Sequence, residues 1–429
     1  MWLDGAAYWS GVQMDETGFP ILLIDLANRH GALPEGELAR LWPMVRRAAS
    51  FLVRNGPVTG QDRWEEDGGY SPFTLAVEIA ALLAAADLAE LRGAFQEAAY
   101  LRDTANTWND QIEYWTYATG TELARQSEVE GYYVRIAPPK TADAASPMMG
   151  FVPIKNRPAA NGRWSASQIV SADALALVRF GLRSASDPRI TYTVRVIDAL
   201  LRVETPQGPL WRRYNEDGYG EHEDGRPFDG TGIGRAWPLL TGERAHYEIA
   251  AGQSESARAL LRTLEACASD GGLLPEQVWD SSDISERELY FGRPSGSAMP
   301  LVWAHAEHLK LVRSLHQGLI FDLPPQPMQR YQVEKVASPY RTWRFNHRCR
   351  SIPRGKTLRI EVLAPAMIHW SVDDWRTVTD TPTRDTGFGV HTADLPVCTD
   401  SEARIRFTFL WLDAGRWEGT DYEVAVAPN

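Results

Sequence analysis

The chain has 429 residues, 44% apolar and 23% charged, the balance of a folded globular protein rather than a disordered one. A formal net charge of −12 excludes a broad basic surface for nucleic acid or anionic lipid. Three cysteines (Cys267, Cys349 and Cys398) are too few and too scattered for a disulfide framework or a four-ligand zinc site, and the longest apolar run, Ile79 to Ala86, is far short of the roughly 18 residues of a membrane span.

This length allows one to three domains. Apolar residues at 3.6-residue spacing predict helices at about 13–29, 37–55, 72–90, 93–115, 168–181, 188–203, 236–250, 253–269 and 295–316. Ser71-Pro72 and Asp187-Pro188 each place a capping side chain and a first-turn proline at a helix start. Short connections alternate with long ones at 56–71, 116–167, 204–235 and 270–294, rich in Gly, Trp, Tyr, Arg, Asp and Glu. Helix pairs joined this way predict an α-toroid with its polar loops gathered at one end, where a site is expected. Residues 321–331, with Leu323-Pro-Pro-Gln-Pro, read as a linker. The period then changes to two: 357–364, 367–372, 403–411 and 422–426 alternate like strands and predict a small all-β sandwich over 332–429. No segment resembling a signal peptide opens the sequence, since Asp4 interrupts it at once, and the residues assign no compartment.

Sixteen tryptophans are a high count, and flat indole faces are what the C–H face of a sugar stacks on. Three loops concentrate chemistry. Asp62-Arg63-Trp64-Glu65-Glu66-Asp67-Gly68-Gly69 sets two adjacent carboxylates beside a tryptophan, where like charge and an apolar wall raise a carboxyl pKa toward that of a general acid. The alternative is a solvated acidic loop. Leu274-Pro275-Glu276-Gln277-Val278-Trp279 carries one carboxylate in an apolar, turn-rich setting, as a catalytic base or a helix cap. Arg212 to Gly225 mixes Arg, aromatic and carboxylate groups, suited to a hydroxyl-dense ligand, a charged surface or a loop calcium site, although the regular ligand spacing of an EF-hand is missing. Gly230-Thr-Gly-Ile-Gly234 follows no strand and is not a dinucleotide loop. His305 and His308 share a helix with no further ligand motif and read as packing residues. Two separated loop carboxylates with aromatic walls are the pattern of a glycosidase.

The sequence resembles glycoside hydrolase family 15, in its prokaryotic glucoamylase and glucodextranase branch. The resemblance rests on ordered blocks: Trp9-Ser-Gly-Val-Gln-Met-Asp-Glu-Thr-Gly-Phe-Pro; Asp62-Arg-Trp-Glu-Glu with Gly69-Tyr-Ser-Pro; Arg213-Tyr-Asn-Glu-Asp-Gly-Tyr-Gly; Gly232-Ile-Gly-Arg-Ala-Trp-Pro-Leu-Leu; Leu274-Pro-Glu-Gln-Val-Trp-Asp; and Ser295-Gly-Ser-Ala-Met-Pro-Leu-Val-Trp-Ala-His-Ala-Glu. It implies an (α/α)6 barrel over residues 1–320 whose loops form a pocket for the non-reducing end of an α-glucan or oligosaccharide. Glu65 matches the general acid and Glu276 the general base. Trp9, Trp64, Glu66, Arg213 and Trp237 match substrate-binding positions. The implied reaction is inverting release of β-D-glucose, with the carboxyl groups roughly 6.5–9.5 Å apart to admit a water. It needs no metal or organic cofactor, and neither nucleic acid nor membrane insertion enters as a partner.

The family barrel has twelve helices in six pairs, and nine are predicted here. Nothing matches its first three helices or an N-terminal β-sandwich, so the expectation is the C-terminal part of such an enzyme, with an open pocket and little activity of its own. Two other readings follow: a catalytically inactive carbohydrate-binding protein on the same fold, and a trehalase-like member acting on an α,α-1,1 linkage. In the β-domain, Trp370, Trp375, Trp411 and Trp417 offer platforms for glucan, or the domain is a structural cap.

Overall fold

The computed structural model describes residues 11–139, 147–158, 160–395 and 404–427. Among these are eight helices of thirteen residues or more: α1 (Met14–Arg29), α2 (Glu37–Asn55), α3 (Pro72–Glu90), α4 (Phe95–Asn109), α5 (Pro188–Leu201), α6 (Pro238–Ala250), α7 (Ser254–Ala266) and α8 (Val302–Gln317). They form the α/α toroid that the spacing predicts. An inner row of α1, α3, the turns at 172–179, α6 and α8 is backed by α2, α4, α5 and α7.

The caps act as read. Ser71 Oγ accepts from the Thr74 N–H, and the Asp187 carboxylate from the Arg189 N–H at 2.9 Å. Helix α3, in the inner row, has 17 of its 19 residues buried and is apolar on nearly every side. By length and composition, at a mean hydropathy of 1.7, it could cross a membrane, but 94% of that stretch is buried inside the protein. Glu78 lies within it, and burial, helped by the charge of Asp15, pushes its carboxyl well above the ordinary value, favouring the protonated form.

Three expectations are corrected. The helix predicted over 168–181 is a 3₁₀ turn at Ala172–Leu175 and one α-turn at Ala176–Arg179. Asp173 is drawn inward to the buried Arg63 at 2.7 Å, and that long-range ion pair overrides local helix preference. The helix predicted over 93–115 breaks after Asn109, where the Asp110 carboxylate turns to accept from the Ser338 N–H (3.0 Å) and Lys356 Nζ (2.8 Å). Residues 321–331 are not a free linker. A short turn at Pro325–Pro327 runs into a wider one at Met328–Val333, with Tyr331 buried against Asn106 and Gln326 donating to Asp25 at 3.0 Å.

Beyond it lie two sheets. One runs 384–385, 391–395, 357–362, 340–343; the other 379–382, 366–371, 404–411, 422–427, 351–353, with 416–417 beside 404–411. Pairing is antiparallel except at two edges, where 340–343 and 351–353 lie parallel to their neighbours. Leu358, Ile360, Ile368, Phe407, Phe409 and Val424, each at most 1% exposed, fill the space between them, a core separate from the helical one. The two units are joined by polar and apolar contacts: Arg344 donates to the last carbonyls of α2 at Val53 (2.5 Å) and Arg54 (3.0 Å), Arg359 pairs with Asp103 (3.0 Å), and Phe388 and Val390 are buried in the helical core, Phe388 stacking on Tyr100 at 6.1 Å. The outward sides of α1 and α8 carry exposed apolar residues, Leu23, Val302 and Leu309 among them.

Candidate active site

The loop between α2 and α3 is closed at its neck by mutual backbone hydrogen bonds of Thr59 and Gly69 at 3.0 Å. Inside it Asp62 acts as the organiser. Its Oδ1 accepts from the N–H groups of Trp64 (3.3 Å) and Glu66 (3.1 Å), and its carbonyl from Glu65 N–H (2.9 Å). The backbone at Glu65 is thereby held at φ 61°, a left-handed conformation uncommon outside glycine, which aims consecutive side chains in different directions. The fully buried Arg135 lies beneath, reaching Asp62 (2.6 Å), Glu66 (2.8 Å) and Asp67 (2.9 Å).

Glu66 faces inward. Its carboxylate accepts from Arg135, Arg213 (3.0 Å), Asn156 (3.2 Å) and the Tyr214 hydroxyl. Burial alone would raise its pKa, but the Arg213 and Arg135 guanidiniums outweigh that and hold it below the ordinary value. Glu65 is the contrast: its carboxylate takes no hydrogen bond or ion pair from any described residue, while its carbonyl is pinned by Lys155 Nζ (3.1 Å) and Gln61 (3.2 Å).

Glu276 comes from the loop before α8. Its N–H donates to the Ala298 carbonyl at 2.8 Å and, two residues on, the Val278 N–H donates to Ala236 at 2.9 Å, beside the residue pair that carries Trp237. The Tyr219 hydroxyl reaches Glu276 Oε1 at 3.4 Å. Burial raises the Glu276 pKa, against lowering from the Ala298 backbone contact, Arg213 and Tyr219. Arg213 is clamped by Asp217 at 2.7 and 2.8 Å and lies 4.8–5.6 Å from the ring centroids of Tyr219, Trp64 and Trp237. Close approach of the supporting loops needs glycine at 218 and 232, where an added Cβ would lie 1.9 Å from the carbonyl oxygens of Asn156 and Gly220.

Trp64, Glu65, Glu66, Arg213, Trp237 and Glu276 all line one cavity of about 500 Å³. Trp9 lies outside the described residues. The indole N–H groups of Trp64 and Trp237, whose rings meet edge-on at 5.4 Å, are buried without a protein acceptor among the described residues. Trp303, Tyr219 and Phe228 complete the aromatic wall, with Lys155 and Asn156 at its rim. Tyr219 and Trp303 stand in the blocks already singled out. Arg135, Lys155 and Asn156 come from the 116–167 loop, where no spacing marks them. His305 and His308 lie outside this wall: His305 Nε2 accepts from the Leu274 N–H (3.0 Å), and His308 pairs with Glu265 (3.0 Å).

A toroid whose loops bring two carboxylates from distant segments onto one aromatic-walled cavity defines a sugar-processing class. Residues 2–313 match the profile of the glycosyl hydrolases family 15, and the chain belongs to that family. It is 40% identical over 332 residues to a glucoamylase of Clostridium sp. (strain G0005), covering 77% of this chain and 43% of that protein. Among solved structures it is similar to a bacterial glucoamylase complexed with acarbose (38% identity, TM-score 0.67, 77% of this chain and 45% of that one). A glycosidase at 22% identity and TM-score 0.51, over 73% and 70% of the two chains, shares the fold. The chain thus spans less than half the length of the two glucoamylases it matches.

Proposed function

We propose that the cavity is the active site of an exo-acting, inverting α-glucosidase that releases β-D-glucose from the non-reducing ends of α-glucans. The observation that carries this is the division of labour among three carboxylates. Glu66, neutralised by two guanidiniums, is a fixed anion for binding hydroxyls. Glu65, whose carboxylate has no partner among the described residues, is available to carry a proton to the glycosidic oxygen. Glu276, with raised proton affinity, draws a proton from the attacking water as the C–O bond breaks. The proton lost from Glu65 is balanced by the one gained at Glu276. Trp64 and Trp237 give the cavity the apolar wall against which the sugar ring packs. Trp9 is proposed with them from the sequence match. The acarbose complex of the similar bacterial glucoamylase supports an α-glucan substrate.

The test is glucose release from maltose, isomaltose and trehalose at equal concentration. Long incubations at high enzyme are needed, because the cavity is open to solvent and slow turnover by this chain is expected. Release from maltose or isomaltose above trehalose supports the glucan reading. Release from trehalose alone supports the trehalase-like one. A folded chain that binds these sugars and hydrolyses none is a binding protein, which overturns the proposal.

A further inference from the structure

The outer face of the larger β-sheet carries rings that belong to neither hydrophobic core. His369 stacks on Trp375 (centroids 5.7 Å apart, planes at 19°) and meets Trp417 edge-on (5.2 Å, 76°). Trp417 is 52% exposed. The other three tryptophans of this domain are spoken for. Trp343 is buried between the sheets, edge-on to Phe407 at 5.0 Å. Trp370 is buried and donates to Thr381 at 3.1 Å; Trp411 stacks on Phe409 (5.3 Å, 12°) and donates to Glu418 at 2.9 Å.

The turn presenting Trp375 is held against its own preference. Asp374 (φ 58°) and Trp375 (φ 65°) are consecutive residues in the left-handed region, which costs energy for any side chain and which glycine takes freely. Ser371 Oγ accepts from the Trp375 N–H (3.0 Å), Asp373 Oδ1 from the Thr377 N–H (2.9 Å), and Arg406 pairs with Asp374 (2.9 Å). A tryptophan kept where glycine suits the backbone points to use of the ring itself.

The surroundings choose the ligand. The Asp380 carboxylate binds His369 Nδ1 at 2.7 Å and is 58% exposed; Asp374 and Arg406 border the same face. Carboxylates beside the rings oppose an anionic polymer or lipid, while flat ring faces edged by hydrogen-bonding groups suit a neutral chain with C–H faces and hydroxyl rims. Trp417 and Asp380 are more than half exposed and His369 and Trp375 partly so, which leaves the rings within reach of a polymer. We infer that Trp375, His369 and Trp417 form a surface site for an α-glucan chain, separate from the catalytic cavity. The choice of α-glucan rests on the glycosidase reading above; the ring geometry does not. Because Arg344, Lys356 and Arg359 fix this domain on the helices, a polymer bound here is tethered to the same molecule that carries the cavity.

Native electrophoresis of the full chain through gels containing soluble amylopectin or dextran tests this. Wild type is expected to be retarded. Trp375→Gly and Trp417→Ala are each expected to weaken retention on the order of fivefold to tenfold, with maltose hydrolysis unchanged. Trp375→Gly is expected to melt no lower than wild type, because glycine relieves the strained turn; this separates lost binding from lost folding. Glu65→Gln is expected to be retarded like wild type. Equal retention of both tryptophan variants, or no retention of wild type in either gel, overturns the site. Retention without hydrolysis of any sugar removes the glycosidase reading and leaves the site standing; hydrolysis without retention does the reverse.

Discussion

Glu65→Gln is expected to lower kcat on maltose by about 10²- to 10⁴-fold, the usual contribution of a positioned general acid. An amide of the same shape cannot give up a proton, and the adjacent Glu66 cannot replace it, because Arg135, Arg213, Asn156 and the Tyr214 hydroxyl hold that carboxylate as an anion. Folding is expected to be untouched. The loop is shaped by the Asp62 hydrogen bonds and the backbone contacts of Glu65, while the Glu65 carboxylate contacts no described partner. The check is a pair of substrates. With p-nitrophenyl α-glucoside, whose leaving group needs little protonation, the loss is expected to be much smaller than with maltose. An equal loss on both, at an unchanged melting temperature, would show that Glu65 is not the acid.

Arg135→Met is expected to cost about 3–5 kcal/mol of stability at neutral pH, the usual consequence of removing one partner from a buried charge network. Arg135 is fully buried and faces three carboxylates, those of Asp62, Glu66 and Asp67. Even with the guanidinium in place, burial pushes Asp67 up to about 6. Without it Asp67 is expected to rise further above its unfolded value, and Glu66 loses one of the two guanidiniums that hold it down. For such groups folding takes up protons, so stability is present at low pH and is lost as pH rises through the folded pKa. The deficit relative to wild type is therefore expected to be largest near pH 7.5 and to shrink toward pH 4.5, as read from urea unfolding at both. A deficit below about 1 kcal/mol, or one equal at the two pH values, would mean that the network does not organise the loop.

What could be read from the sequence follows the range of each interaction. Helices α1, α2, α3, α5, α6, α7 and α8 were legible because spacing and caps such as Ser71 and Asp187 are local. The helix expected at 168–181 failed because Asp173 answers to Arg63, about a hundred residues away in sequence, and the expected linker failed because Tyr331 and Gln326 answer to Asn106 and Asp25. The same divide runs through the site. Trp64, Glu65, Glu66, Arg213, Trp237 and Glu276 stood in dense aromatic-acidic blocks, and the resemblance joined Glu65 to Glu276 across some two hundred residues. Arg135 had no local mark. A lone arginine in a long loop declares itself only when folding brings three carboxylates around it.

The measurement that bears most directly on this account is proton NMR of the first glucose released from maltose. A pair of carboxylates acting on opposite faces of the sugar, one giving a proton and the other activating water, produces β-D-glucose first, with the α anomer appearing only by mutarotation. That is the result expected, together with its loss in Glu65→Gln. Initial release of α-glucose would contradict the account, because it requires a carboxylate acting as a covalent nucleophile where Glu276 is assigned to activate water.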